Sequence, residues 1–77
     1  MYTEEMAKAF HGIQAPEGFS VELYDAEEWI TVVVDPNSLV NKTDEEIKNI
    51  VDYINGVKLA LEEKGAVVLV ARDAIGE

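Results

Sequence analysis

The chain contains no cysteine, which excludes disulfide bonds and thiolate zinc sites. His11 is its single histidine, so no pair of imidazoles is available to hold a metal. Positive charge is scarce: six Lys and Arg stand against sixteen Asp and Glu, a net charge of −10. Direct binding to nucleic acid or to an anionic membrane is disfavoured, because phosphate contacts need cations. No apolar run approaches the roughly 20 residues that span a bilayer. Residues Met1 to Glu5 form neither the basic nor the apolar part of a signal peptide, so a cytoplasmic protein is expected.

Chemical motifs are equally sparse. The five glycines are scattered and make no phosphate loop. Asp25, Glu27 and Glu28 lack the alternating ligands, central glycine and closing glutamate of a calcium loop. Glu27-Glu28 and Glu62-Glu63 are sequence neighbours whose side chains point apart, which disfavours an acid/base dyad. Asp35 ends the run Val32-Val33-Val34, as a magnesium-binding carboxylate does, but Pro36 follows and marks an ordinary turn. No serine nucleophile stands in a recognisable motif with His11. No cofactor, metal or catalytic group is expected, and the chain reads as non-enzymatic.

What is present fits one small folded domain covering residues 1–77. Nearly half of its residues are apolar, too many for a disordered chain of this charge. So short a chain buries a thin core, and without disulfides or metal a partner subunit is the remaining source of stability.

The periodicities predict the order α-β-β-α-β, an α+β fold with two helices and a three-stranded sheet. Tyr2, Met6, Ala9, Phe10 and Ile13 make the stripe of a helix over 3–11, with Thr3 as N-cap and Gly12 as its stop. Pro16-Glu17-Gly18 reads as a turn. Phe19, Val21 and Leu23 alternate with polar residues, which predicts a half-buried strand over 19–24. After a link over 25–28, residues 29–34 predict a second strand, apolar on both faces and joined to the first as a hairpin.

Thr43-Asp44-Glu45-Glu46 matches a capping box. It opens a helix that runs to Lys64-Gly65 with a core stripe of Ile47, Ile50, Val51, Ile54, Val57 and Leu61. The run Ala66 to Ala71 predicts a strand without a polar face, and residues 72–77 a frayed tail. With two strands apolar on both sides, a homodimer is expected. It would cover Trp29 with Val33 or Leu69 by burying an open face or pairing an exposed edge, unless the helices cover opposite faces.

Charge is uneven. Residues 1–41 hold eight acids (Glu4, Glu5, Glu17, Glu22, Asp25, Glu27, Glu28, Asp35) and one base, Lys8. Carboxylates about 5 to 7 Å apart on a rigid scaffold approximate the step between phosphates. Glu17, Glu22, Asp25, Glu27 and Glu28, around the predicted hairpin, are the candidate partner-binding residues. In size, charge, lack of cysteine and mixed α/β pattern, the chain resembles the DNA-mimic inhibitors that bacteriophages make against host DNA-binding proteins. One kind of these blocks the histone-like HU protein as an acidic homodimer. The resemblance covers composition and element order, with no motif that carries residue roles over. It implies inhibition of a basic DNA-binding protein within the host cytoplasm. The alternative is a generic protein-interaction module or inhibitor subunit.

Acyl carrier proteins are also small and acidic. Their Asp-Ser-Leu motif has only Asn37-Ser38-Leu39 as its nearest match here, and they resemble four-helix bundles rather than a chain with three strands.

Overall fold

The computed structural model describes residues 2–72, the side chain of Arg72 excepted. The predicted tail therefore lies, beyond Arg72, outside the described residues. Elements follow the expected order: α1 (Glu4–His11), β1 (Glu22–Asp25), β2 (Ile30–Val34), a 3-10 helix (Pro36–Leu39), α2 (Asp44–Glu63) and β3 (Val68–Arg72).

Both helices begin where their capping residues dictate. Thr3 accepts a hydrogen bond from the Met6 N–H at 3.1 Å and starts α1. At α2 the reciprocal box is complete: Glu46 N–H donates to Thr43 Oγ1 at 3.1 Å, and Thr43 N–H donates to Glu46 Oε1 at 2.9 Å. Two of the four N–H groups that a helix start leaves without partners are typically satisfied this way. Gly65, at φ +98°, takes the left-handed conformation that ends α2, which a residue with a Cβ enters only with strain.

The sheet order is β1-β2-β3, with β2 in the middle. β1 pairs antiparallel with β2 (Glu22 opposite Val33, Asp25 opposite Ile30), and β3 pairs parallel with β2 (Ile30 opposite Val68, Val34 opposite Arg72). α2 is the crossover that a parallel β2–β3 pair requires.

One core lies between sheet and helices. Ile30, Val32 and Val34 are buried on one side of β2, against Met6 of α1 and Ile50, Tyr53, Val57 and Leu61 of α2. Because residues of both helices pack on this single set, α1 and α2 lie on the same face. The shortest molecular dimension, 14 Å, agrees; helices on opposite faces would need about 20 Å between their axes.

Three sequence expectations shift. The first strand begins at Glu22 rather than Phe19. The register puts Val21 level with the last residue of β2, and Phe19 and Ser20 level with Asp35-Pro36, where the partner turns into the 3-10 helix. Phe19 is nonetheless buried, its N–H bonded to the Pro16 carbonyl, so its apolar side reached the core from a turn. The third strand starts at Val68 rather than Ala66, whose N–H instead closes the end of α2 on the Leu61 carbonyl. Within α2 the stripe is rotated: Val51 is exposed and Tyr53 is buried, its ring edge-on to Phe19 at 6.0 Å. A periodic reading prefers valine to tyrosine, yet the space beside Phe19 takes a large ring.

Candidate protein-binding face

With both helices on one side, the other face of the sheet is bare. Directly paired strand residues share a face, so the register alone fixes its composition. Glu22, Val33 and Ala71 form one row, Tyr24, Thr31 and Leu69 the next, and Trp29 and Val67 lie at the end where β2 and β3 begin. Tyr24 is 59 % exposed, Val67 57 %, Leu69 49 % and Trp29 41 %. A contiguous apolar surface of this kind marks a contact site more often than scattered exposed residues do. Glu22 is the one carboxylate in these rows. Its Oε1 accepts a hydrogen bond from the Tyr24 hydroxyl at 3.0 Å, which holds the tyrosine ring along the strand.

The five candidate carboxylates do not form one array. Glu27 and Glu28 are exposed in the link between β1 and β2, beside Trp29. Glu22 belongs to the bare face, toward the opposite end of the hairpin, where it lines a small groove of about 220 Å³ with Ser20, Val33 and Asp35. Glu17 lies beyond that end, in a shallow cleft of about 380 Å³ that includes Lys42 and Glu46 at the start of α2. Asp25 shares a face with buried Ile30 and so points to the helix side. There its Oδ2 accepts a hydrogen bond from the backbone N–H of Tyr2 at 3.1 Å. That bond holds the Asp25 carboxyl below its ordinary pKa, because it stabilises the ionised form.

Apart from Lys42 in the Glu17 cleft, the cations lie away from these carboxylates. No lysine or arginine occurs between Lys8 and Lys42, so the hairpin carries none. Lys48 and Lys58 lie on α2, where they pair with Asp52 at 3.4 Å and Glu62 at 3.0 Å. These exposed i,i+4 pairs contribute little stability, but they neutralise carboxylates of the helix layer. Glu17, Glu22, Glu27 and Glu28 have no ion pair among the described residues. The outcome is a two-sided molecule: a helix layer of mixed charge, and a sheet side with an apolar centre and an acidic rim.

The apolar residues of the second and third strands, Trp29 and Val33 with Val67 and Leu69, meet on this surface, and the register joins Tyr24 to them. Alternation placed Tyr24 opposite Leu23, and the register then aligned it with Thr31 and Leu69. Among the described residues no group of three or more His, Asp or Glu is placed to hold a metal ion. None of their helices is long and apolar enough to cross a membrane. No family model matches the chain, and no curated protein or solved structure matches it.

Proposed function

We propose that this chain is an acidic protein-binding module that engages a basic partner through its hairpin side and, in the sharpest form, occupies the DNA-binding surface of a basic DNA-binding protein such as an HU-type histone. The observation that carries the reading is the charge separation. A hairpin without a single lysine or arginine presents Glu22, Glu27 and Glu28 to solvent with no ion pair among the described residues, while the lysines lie in the helix layer or at its ends. Fixed carboxylates on a rigid scaffold steer a basic partner and set its orientation.

Competition tests this reading: displacement of a labelled DNA duplex from an HU-type protein, measured across a salt series. Wild type is expected to displace the duplex at low salt and to lose that ability as salt screens the exposed charges. The joint variant Glu22→Lys, Glu27→Lys, Glu28→Lys is expected to lose displacement while keeping its fold. Asp25 stays out of the variant because its carboxylate holds Tyr2. Failure of wild type to displace the duplex at any salt concentration overturns the HU-directed form. Capture of no basic protein from a bacterial lysate at low salt overturns the wider one.

A second reading has its own support in the bare face. If the apolar centre supplies the energy and the acids only the orientation, Trp29→Ala and Tyr24→Ala weaken partner binding more than the charge reversals do, with little salt dependence.

A further inference from the structure

The two edges of the sheet differ. The β1 edge carries Glu22 and Asp25 and adjoins Glu27 and Glu28. The β3 edge belongs to the stretch Gly65 to Ala71, which holds no charged residue and no proline, between Lys64 and Arg72. Leu69, Val70 and Ala71 are exposed in succession although they alternate between the two faces. Val70 points to the helix side and is still 45 % exposed. Among the described residues no strand pairs with β3 on its outer side.

The Ile30 N–H donates to the Val67 carbonyl at 2.8 Å, and Ile30 stands opposite Val68. In a parallel ladder this directs the N–H and C=O groups of Val67, Leu69 and Ala71 toward β2, and those of Val68 and Val70 outward. The result is an edge that is apolar from Val68 to Ala71, with the charged residue Arg72 at its end and outward backbone groups at Val68, Val70 and Arg72. It has none of the lysines, prolines or bulges by which edge strands commonly avoid pairing.

We infer that β3 pairs antiparallel with β3 of a second copy across a two-fold axis near Val70, giving a six-stranded sheet in the order β1-β2-β3-β3-β2-β1. Charge selects the occupant. A basic partner is drawn to the hairpin side, at the other edge of the sheet, whereas a second copy at −10 is repelled there and meets its least acidic strand at β3. The alternative, burial of the bare faces against each other, is weaker. It would bring Glu22 and the hairpin acids of two copies together around the apolar centre of Tyr24, Trp29, Val67 and Leu69. Edge pairing satisfies the outward groups of Val68 and Val70 in both chains, buries Val70 and Leu69 at the seam, and makes the bare face continuous across the dimer. It also sets the two β1 strands five strand spacings apart, about 24 Å, with an acidic hairpin at each end. This assembly stands independently of what the hairpins bind.

Light scattering coupled to size exclusion tests it. Wild type is expected at twice the 8.5 kDa chain mass, with a dimer that tightens as salt is added, because screening relieves repulsion between like-charged copies. Binding to a basic partner has the opposite salt dependence, so the two proposals fail separately. Val70→Lys and Val70→Pro are expected to give monomers, with circular dichroism reporting the fold; Val70→Lys leaves every backbone donor in place should the proline variant unfold. Tyr24→Glu, on the bare face and distant from β3, is expected to remain dimeric. In a chain without cysteine, Val70→Cys is expected to form an interchain disulfide on mild oxidation and Tyr24→Cys is not. A wild-type monomer up to millimolar concentration, or a dimer lost in Tyr24→Glu but kept in Val70→Lys, overturns the inference.

Discussion

The backbone N–H of Tyr2 donates to the carboxylate of Asp25 across 23 residues of sequence, at 3.1 Å. This bond ties the segment before α1 to the end of β1, next to the acidic link of the hairpin. It turns one of five candidate contact carboxylates into a structural group. A short helix such as α1 is marginal alone, so a tether at its start complements the burial of Met6 below it.

Acid should cut that tether. The Asp25 carboxyl titrates below its ordinary value, first because it accepts the Tyr2 N–H. A depressed folded-state pKa means that the contribution is complete above the unfolded value and is lost as pH falls through the lower folded one. Wild type is expected to exceed Asp25→Asn in melting temperature at pH 7, with the gap closing as pH drops through and below the ordinary aspartate range. General relief of charge repulsion affects both proteins alike, so the difference isolates the Asp25 carboxylate. A gap independent of pH contradicts the assignment.

The rotated stripe of α2 ranks its substitutions. Ile50 and Leu61 are buried, and replacing either with alanine should cost about 2 to 5 kcal/mol through lost burial and a residual cavity. Half-buried Ile54 should cost less. Val51→Ala should fall within about 0.5 kcal/mol of wild type, since Val51 faces solvent. Chemical denaturation of the four variants checks the order, and a large loss for Val51→Ala would restore the unrotated stripe.

Two glycines should respond in opposite directions. A Cβ added at Gly56, in the middle of α2, meets no atom within 4 Å. Gly56→Ala is therefore expected to stabilise by up to about 1 kcal/mol, the helix-propensity difference. Gly65 also has open space around it, but its φ is +98°, and Gly65→Ala is expected to destabilise by about 1 kcal/mol or more. Thermal melts of the pair separate backbone conformation from packing, because space is available at both sites.

Trp29 reports on the bare face. At 41 % exposure its fluorescence should be red-shifted and readily quenched by acrylamide, a neutral quencher that the −10 charge does not repel. Docking of a partner on this face should shift the emission to the blue and protect it from quencher. Edge pairing through β3 alone should change it little, so the same signal distinguishes occupancy of the face from dimer formation.

Much of this was legible in the chain itself. Capping residues Thr3 and Thr43 fixed where both helices begin, and the alternation Ile30-Val32-Val34 fixed which residues of β2 act together. Sixteen acids against six bases, with none of the bases between Lys8 and Lys42, determined that the hairpin would carry carboxylates and no cation. These properties are local or additive, so they survive without knowledge of the fold. Which of the two apolar faces of β2 would be covered was a different matter. Periodicity says which residues share a face, and both faces of β2 looked capable of burial. Only the packing of α1 and α2 against the same side, with Met6, Tyr53 and Phe19 meeting across distant sequence, left Trp29, Tyr24 and Leu69 in solvent. The same long-range register sent Asp25 to the helix side and Glu22 to the bare one. The two carboxylates stand three positions apart on one strand, and a pleated strand turns an odd separation into opposite faces.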